Sequence, residues 1–248
     1  MPPRYIDESE LQAREQAILD QALAIISAHG LAALNMDKLI AQVPYSKGTV
    51  YNHFSSKEDV FTALCNRNMR RVEQLFQRAA AIDGSAWDKM TAIGFAYMLS
   101  VLLSPQHFML VMSAKTELFD KASIVRREEH DLVDQQLFGV IEGVIEQAIA
   151  NGELKLRPGA VPQQVSFSLW AMAFGTIGLL LGGDKSCGAL DGMMIEGRVI
   201  AHGNLIKEGL GWAGSDWDQQ EFLQWLKTDV FAEELQQLEQ QGVFLNVA

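Results

Sequence analysis

The chain has 248 residues, of which 48% are hydrophobic and 21% charged, and its formal net charge is −11. This length suits one large domain or two modest ones, and the composition excludes an intrinsically disordered chain. The acidic balance repels nucleic acid and anionic membranes at long range, so contact with a polyanion requires a local basic patch.

The cellular compartment is predicted from the cysteines and the apolar runs. Cys65 and Cys187 are too few for a disulfide framework or a zinc cluster, and they suit a reducing cytoplasm. The first ten residues contain no apolar segment of signal-peptide length. The most apolar run, residues 167–182, is shorter than the ~20 residues of a membrane-spanning helix. We therefore expect a cytoplasmic protein without a membrane span.

Apolar residues recur at three- and four-residue steps along most of the chain, which predicts helices. In chain order these cover residues 9–29, 36–43, 47–53, 57–82, 86–103, 106–121 (one or two helices), 123–150, 161–182, 194–211 and 218–241. Asn35, Ser46 and Ser56 are the predicted N-caps, and Asp59 is placed to complete a capping box with Ser56. No segment alternates like a strand. The predicted fold class is all-α.

Residues 36–53 have the layout of a helix-turn-helix, in which a short helix, a tight turn and a second short helix follow one another. In the second helix Val50 and Phe54 lie one turn apart and can anchor it. At its start Gly48 lets the backbone approach a partner closely. Asn52 can form two hydrogen bonds with adenine, and Lys57 can contact a phosphate. From spacing alone, a solvated polar face stays open as the alternative interpretation.

The run LNMDKLIAQVPYSKGTVYNHFSSKEDVFTAL, residues 34–64, resembles the DNA-binding signature of the TetR family of bacterial transcriptional regulators. The residues that match in order and spacing are Ile40, Ala41, Ser46, Gly48, Thr49, Tyr51, His53, Phe54, Lys57 and Glu58. The chain departs from the family pattern at Pro44 and Tyr45, where glycine and valine are usual. Because proline cannot adopt positive φ, the turn must differ locally.

The resemblance implies roles for single residues. The DNA-binding set is Ser46, Lys47, Gly48, Thr49, Tyr51, Asn52, His53 and Lys57. Within it, Lys47 and Asn52 are expected to contact bases, and Thr49, Tyr51, His53 and Lys57 mostly phosphates. Independently of the resemblance, local charge indicates a positive fourth helix with Arg67, Arg70 and Arg71, assigns Arg78 to a solvated face, and makes Arg14 a further candidate for phosphate contact.

The resemblance also implies two domains, a three-helix DNA-binding domain at residues 1–60 and an effector-binding and dimerisation domain at residues 61–248. The large apolar side chains predicted to line an effector pocket are Phe95, Met98, Leu102, Phe108, Met112, Trp170 and Phe174. Small residues in the helices near 161–182 and 194–211 predict a homodimer interface there. The expected function is an operator-binding repressor released by a small, largely apolar effector. Two alternatives stay open, a DNA-binding dimer without an effector and an all-α ligand-binding protein that has lost DNA recognition.

Enzymatic and metal sites have little support in the sequence. The run GLLLGGDKS at residues 178–186 approaches a phosphate-binding loop, but Asp184 separates Gly183 from Lys185 and no strand precedes the run. The carboxylates beside His130 are its neighbours in sequence, and adjacent residues on a helix do not face one another. The same helix is predicted to carry an outer face of Arg126, Arg127, Glu128 and Glu129. We expect no enzyme, no metal and no cofactor.

Overall fold

A computed structural model describes residues 7–117, 119–181 and 195–245. The regular structure within these ranges is helical, which confirms the all-α class. It comprises α1 (Glu8–His29), α2 (Met36–Ile40), α3 (Lys47–His53), α4 (Lys57–Ala80), α5 (Ala86–Leu103), α6 (Pro105–Glu117), α7 (Ile124–Ala150), α8 (Pro162–Leu181), α9 (Ile195–Gly209), α10 (Gln219–Trp225) and α11 (Ala232–Gln240). From residue 182 onward, the run that approaches a phosphate loop lies outside the described residues, as does Cys187.

The helices begin where short polar side chains accept hydrogen bonds from the first free backbone amides. Asn35 Oδ1 accepts from Lys38 N at 2.8 Å, and Ser46 Oγ accepts from Thr49 N at 3.1 Å. Ser56 Oγ accepts from Asp59 N at 3.2 Å, so all three predicted N-caps are confirmed. The reciprocal bond of the predicted capping box is wrong by one residue, because the Asp59 carboxylate accepts from the amide and hydroxyl of Ser55.

Two predicted helices differ from the observed ones. The helix expected over residues 36–43 ends at Ile40, since Pro44 offers no amide hydrogen and disfavours helical geometry at the residue before it. The helix expected over residues 218–241 is divided by a π-helical turn, Leu226–Val230, between α10 and α11. Phe231 N donates to Leu226 O at 2.8 Å across this wider turn, and both side chains are 0% exposed. The π-helical turn therefore lets both Leu226 and Phe231 lie in the core.

One compact unit consists of Met1–Met69 and Pro105–Asp134. Helices α1 to α3, the first part of α4 and α6 supply its apolar core, whose largest fully buried members include Ile18, Leu19, Ile25, Leu39, Phe54, Leu64 and Leu110. Burial of these side chains, at about 2 kcal/mol each, is the main force that holds α3 in place.

Asp59 joins the start of α4 to the start of α7 within this unit. Its Oδ2 accepts from Ser55 N at 2.9 Å, and its Oδ1 accepts from Ser123 N at 2.7 Å. Burial would raise the pKa of Asp59, but the hydrogen bonds from Ser55 and Ser123 outweigh it and hold the pKa below its ordinary value. Because the folded pKa is depressed, the stability that Asp59 contributes is present above pH 3.8 and is lost as the pH falls through the folded pKa.

The second compact unit consists of Arg70–Ser104 and Gln135–Ala248. Within it α5 packs against α9, α8 and α11, and α8 packs against α9. Ser85 and Asp88 form a complete capping box at the start of α5. Helices α4 and α7 each contribute residues to both units. The boundary between the units therefore falls within α4, after Met69, and again within α7, after Asp134. The functional division predicted between residues 60 and 61 stays a prediction.

Candidate functional site

Helix α3 is anchored on one side and faces solvent on the other. Val50 and Phe54 are both 0% exposed and lie in the core of the first unit. Lys47, Gly48 and Asn52 are exposed, and the Tyr51 side chain is 39% exposed. We call these four outward residues of α3 the recognition face. Val50 and Phe54 hold the helix against the core, and the polar residues of the recognition face therefore need not be buried.

The start of α3 is ordered by its own side chains. Ser46 Oγ lies 2.9 Å from Thr49 Oγ1 and also accepts from the Thr49 amide. Lys47 Nζ lies 3.8 Å from Asp37 Oδ1 and 5.7 Å from the centre of the Tyr51 ring. The Lys47 and Asp37 side chains are 68% and 89% exposed, so this pair is weak in water and can exchange for a phosphate or a base.

Gly48 has no steric role within the protein. A Cβ atom added there would meet only Ser46 Oγ, at an ordinary 3.9 Å. We expect Gly48→Ala to stabilise the fold by about 0.5–1 kcal/mol, because alanine is the better helix former. The same change should weaken DNA binding about tenfold, a loss of ~1.4 kcal/mol, if the backbone of α3 lies against DNA. Urea denaturation and DNA titration of the two proteins test both halves, and unchanged DNA affinity would remove Gly48 from the interface.

Lys57 and His53 have different surroundings. The Lys57 side chain is 48% exposed, and its Nζ is 4.0 Å from Glu58 Oε1. The His53 side chain is only 10% exposed, and its Nδ1 lies 3.7 Å from Glu15 Oε2 on α1. Lys57 is thus available to a phosphate in this geometry, whereas a phosphate contact by His53 requires its ring to leave Glu15. Both roles remain predictions.

Arg126, at the start of α7, fastens the end of α3. Its Nη2 donates to His53 O at 3.2 Å and to Glu15 Oε2 at 2.9 Å, and its Nη1 donates to Glu129 Oε2 at 2.8 Å. The guanidinium also lies 4.9 Å from the centre of the Phe54 ring. We call Arg126, Glu15, Glu129 and the His53 carbonyl the Arg126 clamp. Burial would lower the pKa of Arg126, but the bonds to the two glutamates outweigh it and raise the pKa.

The Arg126 clamp corrects one sequence prediction. Arg127 and Glu128 are exposed as expected, but the Arg126 side chain is 12% and the Glu129 side chain 26% exposed. The partners Arg126 and Glu15 are 111 positions apart, and spacing along one helix carries no information about such a distant contact. The pattern of charges at the start of α7 therefore looks the same in the sequence whether its residues are buried or solvated.

The turn before α3 adopts a shape without left-handed residues. Among the described residues positive φ occurs only at glycines, and the turn from residue 41 to residue 46 contains none. Tyr45 is half-buried and packs against the core of the first unit. Pro44 and Tyr45 therefore replace a flexible turn by a fixed proline φ and an aromatic anchor.

Several basic residues outside α3 are engaged within their units. Arg67 is 9% exposed and its Nη1 lies 2.6 Å from Asp20 Oδ1, which makes it a structural residue. Arg14 pairs with Glu10 on α1. In the second unit Arg78 pairs with Glu234 at 2.6 Å and covers the Phe231 ring. The local positive charge available to DNA is smaller than the sequence suggests.

The second unit contains an apolar cavity of about 60 Å³ between α5, α7, α8 and α9. Its wall includes Met90, Ile93, Tyr97, Ile141, Leu169, Trp170, Met172, Val199, Ile200 and Lys207. The volume exceeds that of a buried water but is well below the ~300 Å³ of a pocket for a drug-sized ligand. A ligand of that size must displace side chains of the wall.

The seven side chains predicted for the pocket are dispersed. Trp170 lies in the cavity wall, and the Phe174 ring packs on it at 5.2 Å. Phe95 and Met98 are buried in the second unit, where Phe95 meets Phe231 at 5.8 Å, and Leu102 is half-buried. Phe108 and Met112 belong to the first unit. Their composition indicated an apolar layer, but burial alone does not reveal which members border a void. Their binding role stays a prediction.

Lys207 is a polar member of the cavity wall that the sequence did not reveal. It is 2% exposed, and its Nζ donates to Thr91 Oγ1 and, at 3.3 Å, to Trp87 O. The same atom lies 3.8 Å from the centre of the Trp87 ring. Burial lowers the pKa of Lys207 to about 7, against the opposing influence of Asp88 and Glu208.

No set of three or more His, Cys, Asp or Glu side chains suited to a metal occurs within the described ranges. His130 Nδ1 instead lies 2.7 Å from Asn66 Oδ1, and its ring packs on Phe119 at 4.1 Å. By length and composition α8 could cross a membrane, a test that core helices of soluble proteins also pass.

An anchored short helix with an exposed polar face, preceded by a capped helix and a tight turn, defines a helix-turn-helix DNA-binding protein. Residues 18–64 match the family described as bacterial regulatory proteins, tetR family. The HTH-type transcriptional repressor KstR of Mycobacterium tuberculosis is 26% identical over 164 residues, which is 61% of this chain and 70% of KstR. Residues 18–64 therefore form a DNA-binding domain of the type found in bacterial regulatory proteins of the tetR family.

Solved structures share the fold. The TetR family regulator PfmR from Thermus thermophilus superposes with a TM-score of 0.56 at 15% identity, over 78% of this chain and 98% of PfmR. FadR from Bacillus subtilis, in complex with stearoyl-CoA, superposes with a TM-score of 0.57 at 16% identity, over 79% and 96%.

Proposed function

We propose that this protein is a cytoplasmic, homodimeric repressor that binds operator DNA through α3 and leaves it when a small, largely apolar effector occupies the cavity of the second unit. The observation that carries the proposal is the recognition face, a polar surface held from behind by Val50 and Phe54, both 0% exposed. A merely solvated helix would not require Gly48 at its exposed start, where alanine fits sterically.

The recognition face can divide its contacts between bases and backbone. Asn52 and Lys47 are exposed and long enough to reach base edges in a major groove. Ser46, Thr49, Tyr51 and Lys57 flank them with hydroxyls and an ammonium suited to phosphates, and His53 joins them if its ring turns outward. The overall charge of −11 makes these few local groups the source of attraction to DNA.

Dimerisation is proposed through α8 and α9. Only 28% of the most apolar 18-residue window of α8 is buried within one chain. Phe167 and Leu179 on α8 are 58% and 62% exposed, and Leu205 on α9 is 64% exposed. Apolar surface of this extent is typical of an interface, and a second copy of the same helices would cover it. A twofold dimer also places two copies of α3 on successive turns of DNA.

Helix continuity offers a route from effector to DNA. Ile141 on α7 lines the cavity, and Arg126 on the same helix holds the end of α3. They are fifteen residues apart in the sequence of α7. A ligand that shifts α7 would thereby shift the Arg126 clamp, and α4 provides a second continuous helix between the same residue sets. The effector acts by favouring the state that fits the operator less well.

Two substitutions separate base contacts from phosphate contacts. Lys57→Ala should weaken binding to all sequences and make the dependence on salt shallower by about one counterion. Asn52→Ala should cost about 1–3 kcal/mol on the preferred site and little on unrelated DNA. Fluorescence anisotropy against a selected operator and a scrambled duplex, at several salt concentrations, measures both. Equal losses on both duplexes in both variants would contradict the assigned roles.

A DNA-binding dimer without an effector is the rival function, and the small volume of the cavity favours it. A ligand screen on the complex with DNA separates the two. Release of DNA by a compound that also binds the isolated protein supports the effector, whereas a screen in which every bound compound leaves the complex intact supports the rival.

A further inference from the structure

The cavity wall contains a buried amine that acts with Asp88 and Glu208 only from beyond ion-pair contact. Across the described residues, no carboxylate oxygen lies within the 4.0 Å of an ion pair to Lys207 Nζ. An ammonium has three donors, and Thr91 Oγ1 and Trp87 O accept two of them. Burying an ammonium with one donor unpaired is costly, so this position beside an apolar cavity is suited to a ligand that brings an anion into contact with it.

We propose that the cavity takes an amphipathic carboxylic acid whose carboxylate pairs with Lys207 and whose apolar part lies along α5 and α8. This inference rests on the proposed function, because it names the chemical class of the effector. The carboxylate would complete the hydrogen bonding of Lys207 Nζ beside Thr91, in surroundings that strengthen a charge-assisted bond.

The rest of the wall suits a hydrocarbon or aromatic tail. Thr91 and Tyr97 lie six residues apart on α5, about 9 Å along the helix axis. Between and opposite them are Ile93, Leu169 and Ile200. Met90 and Met172 also line the cavity, and methionine side chains rearrange readily. Their movement supplies volume beyond the present 60 Å³ or so.

The charge on Lys207 makes the expected binding dependent on pH. The groups that act on it are Asp88 on α5 and Glu208 on α9, both favouring the ammonium, while burial favours the amine. Tyr97 shares the cavity, and burial raises its pKa far above neutrality, so it stays protonated. With the pKa of Lys207 at about 7, affinity for a carboxylate should fall by about tenfold per pH unit above neutrality.

Calorimetry and tryptophan fluorescence of the full chain with octanoate and decanoate test the proposal, since Trp87 and Trp170 border the site. Octanol and methyl octanoate are the matched neutral probes. At pH 6.5 or so the acids should bind wild type at least about tenfold more tightly than the neutral probes. Lys207→Met and Lys207→Gln should abolish this preference and its decline with pH. Lys121→Met, at an exposed lysine, should retain both.

The outcomes separate this inference from the function on which it rests. Equal affinity for acid and alcohol, or a preference that survives Lys207→Met, overturns the acid class while the cavity remains an effector site. The acid class is also overturned if none of the probes binds saturably. DNA titration with the same protein then shows whether the regulator function stands. A preference lost in both Lys207 variants, with folding and DNA binding intact, supports it.

Discussion

Replacing Arg126 by methionine is expected to destabilise the protein by about 3 kcal/mol, the usual effect of removing one partner from a buried ion pair. Glu15 and Glu129 each lose a bond below 3 Å, at side chains only 26% exposed, and the His53 carbonyl loses its donor. Since that carbonyl ends α3, the orientation of the recognition face should loosen and DNA affinity should fall as well. Urea denaturation and DNA titration measure the two effects.

Two controls isolate the Arg126 clamp. Arg127→Met alters the exposed neighbour on α7 and should stay within about 0.5 kcal/mol of wild type. Combining Arg126→Met with Glu15→Gln and Glu129→Gln removes the two negative charges that face the guanidinium, and should recover much of the stability but not the DNA affinity. If Arg126→Met matched wild type in both measurements, the clamp would have no energetic importance.

The second large effect is expected at Lys207, where stability should depend on pH in a characteristic direction. The folded pKa of about 7 lies below the ordinary value of 10.5, so between these limits the unfolded chain binds more protons than the folded one. Stability from this group therefore rises with pH across that window and is lowest below pH 7. At ~1.4 kcal/mol per pKa unit the full gain is about 5 kcal/mol.

Denaturation of wild type and Lys207→Met at about pH 6 and pH 10 isolates this contribution. Methionine has no charge to desolvate. The stability of the variant relative to wild type should therefore be several kcal/mol greater at the lower pH than at the higher pH. Bonds lost to Thr91 and Trp87 lower its stability at both values and cancel in the comparison. Lys121→Met provides the control at an exposed lysine. A stability difference that is independent of pH would mean that Lys207 is not charged and desolvated in the folded protein.

Local signals in the sequence were sufficient for the helix-turn-helix. The caps Asn35, Ser46 and Ser56 act within three residues of themselves, so that their hydrogen bonds follow from spacing. Val50 and Phe54 share one face by helical geometry, and both are buried as expected. These same residues carry the resemblance to the family, which is why fold and class could be predicted together.

Contacts between distant segments could not be predicted in this way. Arg126 and Lys207 both stand in helices with mixed polar faces, and only the packing of α7 on α1 and of α9 on α5 buries them. The cavity is a gap between four packed helices, and the spacing of apolar residues along the sequence does not predict such a gap. The break before α11 arises because Leu226 and Phe231 both reach the core, a requirement of tertiary packing that propensity does not contain.

The central claim is that α3 directs this acidic protein to a specific DNA sequence. An electrophoretic shift of the folded, full-length chain with the DNA upstream of its own gene, at low salt, tests it most directly. We predict a discrete complex that withstands excess unrelated DNA and is lost when unlabelled upstream DNA is added. No complex with any upstream fragment, from protein shown to be folded, would contradict the claim.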